Sequence, residues 1–360
     1  MDDRVGAERV TARLPSSDLE WCHDAVQDVS RTFALTVDVL EEPMSSQICL
    51  GYLLCRVADT IEDASHLPPA EQVALLDRYD AALSSDTDVT MAQFRSEVDE
   101  WLPSPAERNA DWSVVANVPT VWATFEERPE AVRCAVVPPV REMVTGMGQF
   151  IERYEDAGGL RIADRAELES YCHYAAGTVG TLITNLLTRG DVGQDRSRQL
   201  YDTAGAFGLL LQLVNVSKDV YADFHEENNV YLPAEWLDAA GVEQDAVLDP
   251  DNRDAVATVV DRTAAFAQTF LDDAQSYLET APMAFGNTIA AWSIPYLLSV
   301  GTLRELRDRP KDALTDGGVK VSRQEVLAVV HAANGTSPAG LSDLRETIAR
   351  EPFHLASTYR

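Results

Sequence analysis

Apolar residues recur three and four positions apart along most of the chain, and the runs end at proline, glycine or short polar clusters. That period predicts helices. One runs over 17–29, opened by the capping-box sequence Ser17-Asp18-Leu19-Glu20. A short segment at 30–40 stops before Pro43, and a longer helix spans 44–65. Further helices are expected from 69 to 83 and over 139–154, 165–188, 198–224, 252–280, 284–307 and 323–333. The last opens on a second capping box, Ser322-Arg323-Gln324-Glu325. Residues 84–90 read as a polar loop. Residues 91–136, punctuated by Pro103, Pro105, Pro119 and Pro129, read as shorter helices and turns. No strand alternation repeats, and there is no Rossmann glycine pattern and no low-complexity linker. The expected architecture is one all-α domain over 1–360, with a body at about 16–333 and a polar C-terminal tail at 334–360.

Two of these helices carry an unusual polar stripe. In 204–233, Gln212, Asn215, Asp219 and Asp223 follow one another at one-turn steps, while Leu209, Leu210, Leu211, Leu213, Val214 and Val216 occupy the other faces. In 51–64, Tyr52, Arg56, Asp59 and Asp63 share a face, with Leu53, Leu54, Val57 and Ile61 off it. A polar stripe on an otherwise apolar helix is expected to line an internal cavity. Like charges one turn apart repel by roughly 0.2–0.5 kcal/mol even on an exposed helix, and a cation between them relieves this. Carboxylate and amide oxygens are hard ligands that suit Mg²⁺, which keeps several waters and binds phosphates. Two such helices face to face would form an apolar cavity with acid at one end, able to hold Mg²⁺ ions and a diphosphate. The spacing alone carries little. The chain has 59 Asp and Glu, and Asp24/Asp28, Asp191/Asp195, Asp245/Asp249, Asp308/Asp312 and Asp312/Asp316 share it. The two chosen pairs differ in continuing a polar stripe inside an apolar helix.

Several segments together resemble the squalene/phytoene synthase family of head-to-head prenyl synthases. They are Ser30-Arg31-Thr32-Phe33-Ala34, the Tyr52–Asp63 and Gln212–Asp223 stripes, YCHYAAGTVG at 171–180, and Tyr231-Leu232-Pro233. The resemblance spans about 28–330. It implies an isoprenoid-synthase-type helical bundle around a central apolar cavity. It also implies a Mg²⁺-dependent coupling of two farnesyl diphosphates through presqualene diphosphate. Transferred residue by residue, it makes Asp59, Asp63, Asn215, Asp219 and Asp223 metal ligands. Ser30, Arg31, Phe33, Tyr52, Arg56, Gln212 and Asn215 become substrate-binding residues. The expected catalytic set is Tyr171 with Arg56, Asp59, Asp63, Asp219 and Asp223. Tyr171 and Tyr174 can each also be read as packed core aromatics, and His225 and Glu226 as solvated helix-end residues.

The product depends on how the final cation is quenched. PVREMVTGMGQF at 139–150, WSIPYLLSV at 292–300 and Gly318-Val319-Lys320-Val321-Ser322-Arg323 are similar to the squalene-forming branch. There NADPH supplies a hydride, and Lys320 and Arg323 would suit a cofactor phosphate; a solvated turn fits them nearly as well. The alternative is a phytoene or dehydrosqualene product without reductant. A non-catalytic assembly factor of the same fold is disfavoured, because all four stripe acids are present.

Charge changes the picture of the surface. The formal net charge is −30, and only Lys218, Lys311 and Lys320 are lysines among 29 basic residues. Such a surface suits a halophilic microbe, and it argues against nucleic acid and against docking on anionic lipid. Five cysteines without a C-x-x-C pair read as free thiols in a reducing, cytoplasmic compartment, four of them buried in helices. Residues 1–10 have no signal-peptide apolar core. The uncharged stretch 281–303 is interrupted by Pro282, Asn287 and Pro295 and is expected to be a buried core helix. A monomer is expected, loosely peripheral to the membrane at most, for release of a hydrocarbon product.

Overall fold

Eighteen α-helices and no strand form among the described residues, 17–356, of the computed structural model; a single isolated bridge joins Arg161 to Val230. The expectation for residues 1–10 lies outside them. Helices α1 (Ser17–Val29), α2 (Arg31–Asp38), α3 (Met44–Glu62) and α4 (Pro69–Leu83) follow the apolar period closely. The proline-punctuated region gives the short helices α5 (Met91–Val98), α6 (Ala110–Ala116) and α7 (Val118–Glu126).

Beyond these, the structure departs from the period in instructive ways. Helix α8 (Glu130–Arg153) was expected to begin at 139, yet it runs straight through Pro138 and Pro139. A helical proline removes the bond to the carbonyl four residues back. The carbonyl facing Pro139, that of Ala135, instead accepts a bond from Asn185 Nδ2 at 3.0 Å. The single helix expected over 165–188 is α9 (Arg165–Cys172), a π-turn at His173–Gly177, and α10 (Thr178–Leu187). The next helix divides at Asp219 into α11 (Gln194–Lys218) and α12 (Val220–Glu226). Then come α13 (Ala234–Ala239), α14 (Arg253–Gln268), α15 (Leu271–Thr280), α16 (Ile289–Asp308) and α17 (Arg323–Asn334).

The polar tail expected at 334–360 is corrected by α18 (Leu341–Arg350), which buries Leu341 and Ile348 and packs on α16. The second capping box is only half formed. Ser322 Oγ accepts the Glu325 N–H at 3.2 Å, but the Glu325 carboxylate turns inward to Arg304 and to the Phe353 N–H.

One apolar core runs from Leu19 to Phe353. Helix α16 lies inside it, with Trp292, Tyr296 and Leu297 buried, as expected for a core helix. No helix among the described residues is long and apolar enough to cross a membrane. Cys22, Cys49, Cys55 and Cys172 are buried free thiols, and Cys134 is free and exposed. At the centre α11 crosses the π-turn and α10 almost backbone to backbone. A Cβ on Gly208 would stand 2.3 Å from the Ala176 carbonyl, and one on Gly180 2.4 Å from that of Ala204.

Candidate active site

In α3 every residue is buried except Tyr52, Arg56 and Asp59. Asp63, half-buried, caps the helix, so the polar stripe is the helix's uncovered face. Over 204–219 the open positions are Gly205, Leu211, Gln212, Asn215, Lys218 and Asp219, with Asn215 the most exposed. Asp219 sits at the break between α11 and α12. The i→i+4 bonds Asp219 N–H to Asn215 O (3.1 Å) and Asp223 N–H to Asp219 O (3.0 Å) carry the stripe across it. The side chains of Gln212 and Asn215 have no hydrogen-bond partner among the described residues.

The acid ends of the two stripes lie within electrostatic reach of each other. Burial, then Asp219 and more weakly Asp63, push the Asp223 carboxyl well above its ordinary range. Burial, then Glu227 and Asp59, do the same to Asp63. Glu62, one residue off the stripe and buried, is raised by burial and by Asp63. Glu227 is raised to about 8 by burial and by Asp223. A cavity of about 130 Å³ lies between Glu62, Gln72, Glu227 and Asn229.

Two cations answer these acids. Arg56 gives Nη1 to Asp59 Oδ2 and Nε to Asp111 Oδ1, each at 2.8 Å. Burial alone would lower its pKa; Asp59 and Asp111 raise it instead. Asp59 is raised by burial, an effect Arg56 opposes. Lys218 pairs with its neighbour Asp219. The loop after α16 braces this second pair. Val319 N–H donates to the Lys218 carbonyl at 3.2 Å. Gly318, at φ +56°, approaches so closely that a Cβ would lie 2.6 Å from that carbonyl and 3.1 Å from Asp219 Oδ1. The side chains of Lys320 and Arg323, just beyond, are exposed and pair with no acid among the described residues.

Helix α2 joins at the other end of the first stripe. Ser30 caps it, accepting the Phe33 N–H at 3.2 Å. The Phe33 ring stacks on Tyr52 at 4.0 Å and 17°. Burial raises the Tyr52 phenol to about 12. Arg31 is exposed and unpaired among the described residues. The apolar Leu211, Tyr174 and Val179 are, like Phe33, only partly covered.

Tyr171 is 3% exposed and lies beneath the acids. Its hydroxyl is 3.1 Å from that of Tyr231, and its ring packs edge-on against Phe150. Burial, then Glu62, push its phenol well up. Asn229 Nδ2 donates to Tyr231 Oη (3.1 Å) and Glu227 Oε2 (3.2 Å), while its Oδ1 accepts the Leu160 N–H (2.7 Å). Tyr171 thus has the packed, hydrogen-bonded setting of a core tyrosine; Tyr174 is the more open of the two. His225 and Glu226 are exposed, as expected.

Four residues escaped the sequence reading. Glu227 stands four after Asp223 and simply continues the stripe. Glu62 lies beside Asp63 in the D-T-I-E-D run. Asp111 and Asn229 have no local signal, because only tertiary folding brings them in.

The donor set is hard oxygen carrying uncompensated negative charge, which fits Mg²⁺ and not a soft metal. No three acids among the described residues converge tightly enough to hold an ion unaided. Mg²⁺ bound by one or two carboxylates, with waters and substrate phosphates completing its shell, needs no such cage.

The squalene/phytoene synthase family model matches residues 26–325. Human squalene synthase is 23% identical over 325 residues, covering 89% of this chain and 70% of its own. A solved complex of TcSQS with the ligand BPH1237 superposes with a TM-score of 0.77 at 23% identity, over 92% of this chain and 90% of that one. A dehydrosqualene synthase with bound ligand gives 0.57 at 20% identity, over 88% and 95%. The family match takes in both acid stripes and the YCHY segment between them, so the chain belongs to the squalene/phytoene synthase family, enzymes of isoprenoid biosynthesis that carry out prenyltransferase-type reactions.

Proposed function

We propose that the protein couples two farnesyl diphosphates head to head through presqualene diphosphate and reduces the product to squalene with NADPH. The observation that carries this reading is the approach of the two acid stripes, each with its own cation and each on an uncovered part of its helix. Asp59, Asp63, Asp219 and Asp223, with Asn215, would hold Mg²⁺, which when bound supplies the positive charge that a departing diphosphate needs.

Arg31, Arg56 and Lys218 would grip the diphosphate oxygens, Arg31 and Arg56 bidentately. Phe33, Tyr52 and Leu211 would exclude water from the carbocation left behind. In the first half-reaction a carbon–carbon bond forms as diphosphate leaves, and one proton is lost as the cyclopropane closes. Tyr171, beside Glu62, is the residue assigned to steady that cation or pass on its proton. In the second half-reaction diphosphate leaves again. NADPH would deliver the hydride, with Lys320 and Arg323 offered to a nucleotide phosphate. The docking of Gly318 and Val319 against Lys218 and Asp219 supports this last assignment, because it sets that segment beside the second acid pair.

Incubation with farnesyl diphosphate and Mg²⁺ in high salt should give squalene only when NADPH is present. A conjugated triene, or phytoene from geranylgeranyl diphosphate, would replace this reading with the reductant-free one. Asp59→Asn and Asp219→Asn should each abolish turnover with helicity intact. Asp245→Asn, on an 81% exposed side chain paired with Arg161, should do little.

A further inference from the structure

Arg56 is held from two directions. Nη1 reaches Asp59 one turn along the same helix, while Nε reaches Asp111 on α6, 55 residues away in sequence. Besides these carboxylates, Tyr52 and Asp63 act on it. Its Nη2 has no hydrogen-bond partner among the described residues, and its side chain is 25% exposed along the open stripe. Asp111 is itself placed rigidly. It stands in the first turn of α6, which Asn109 caps through a bond from the Trp112 N–H at 2.9 Å.

A guanidinium is planar, so fixing the Nε edge and one Nη fixes the direction of the rest. Metal binding at Asp59 would remove one of the two holds, and Asp111 would then be the remaining anchor. We propose that Asp111 is a positioning residue for diphosphate: it orients Arg56 so that its free Nη2 edge faces the anion, and it keeps that orientation once Asp59 turns to metal. This rests on the assignment of Arg56 as a diphosphate ligand.

The test measures the dissociation constant of inorganic pyrophosphate with Mg²⁺, by calorimetry on the full chain, for Asp111→Ala, Arg56→Ala and the double variant. Melting temperature monitors the fold. Arg56→Ala should weaken binding at least tenfold, and Asp111→Ala by about tenfold, the scale of a hydrogen bond to a charged group. The double variant should bind like Arg56→Ala alone, because Asp111 acts only through Arg56. In turnover, Asp111→Ala should raise KM for farnesyl diphosphate more than it lowers kcat, and Asp111→Glu should restore part of the loss. Should Asp111→Ala not fold, Asp111→Asn carries the same comparison. Unchanged pyrophosphate binding in Asp111→Ala, or an equal loss in the Arg56→Ala background, overturns the proposal. Unchanged binding in Arg56→Ala instead overturns the ligand assignment beneath it.

Discussion

Asp63, Asp223 and Glu227 are half-buried near one another, with Lys218 and Arg56 too few to neutralise them. Their carboxyls are raised in the folded protein relative to the unfolded chain, so folding takes up protons there. Below the ordinary carboxylate range both states are protonated and the cluster costs nothing. As pH climbs from that range towards about 8, the value for Glu227, the folded state must carry the charges, and stability falls. Thermal melts with EDTA at fixed high salt should therefore show Tm dropping over this window. Mg²⁺ should raise Tm, and by more at the alkaline end, because it binds the ionised cluster. Glu227→Gln should flatten the EDTA profile; a profile already flat in the wild type would contradict the account. The stripe acids were legible in the sequence because a four-residue step survives as a shared helix face. Glu227 obeys the same step and could have been read. Asp111 could not, since its contact with Arg56 depends on how α6 docks on α3.

At the level of elements, periodicity located the helices but not their interruptions. The π-turn at His173–Gly177 and the continuation of α8 through Pro138 and Pro139 both depend on neighbours that no local pattern names. The first lies where Gly208 of α11 presses on the Ala176 carbonyl, and the second is eased by Asn185 from α10. The crossing makes a sharp comparison within one helix. Gly205 has nothing within 4 Å of its virtual Cβ, whereas that of Gly208 meets backbone at 2.3 Å. Gly205→Ala should stabilise by up to about 1 kcal/mol through helix propensity. Gly208→Ala should cost about 1–3 kcal/mol, because two backbones must move apart. Chemical denaturation of both variants checks this, and equal effects would mean that the close crossing is not under steric constraint.

The molecule combines an acidic exterior with a deeply buried ion pair, and salt separates the two. The C-terminal segment read as a polar tail, although Leu341, Leu344 and Ile348 already repeat at helical spacing. What anchors it is invisible to such a pattern. Arg304 on α16 grips Glu325 on α17 bidentately at 2.8 Å, and its Nη1 also reaches the Ile348 and Glu351 carbonyls at 2.7 and 3.1 Å. Both side chains are 2% exposed. Arg304 Nη2 also reaches Glu305 at 2.6 Å, so removing Glu325 leaves the buried guanidinium one carboxylate where it had two; Glu325→Leu should still cost up to about 3–5 kcal/mol and open 335–356 to proteolysis. Arg304→Met with Glu325→Leu should recover most of that loss. The net charge of −30 acts differently, as repulsion spread over the surface. Raising KCl shortens the screening length from about 10 Å at 0.1 M to about 3 Å at 1 M, so wild-type Tm should climb with salt. The penalty for Glu325→Leu should not change along the same series, because solvent ions do not reach a pair so deeply buried. A penalty that shrank in step with the salt titration would mean that the C-terminal helix is held by the surface field and not by this pair.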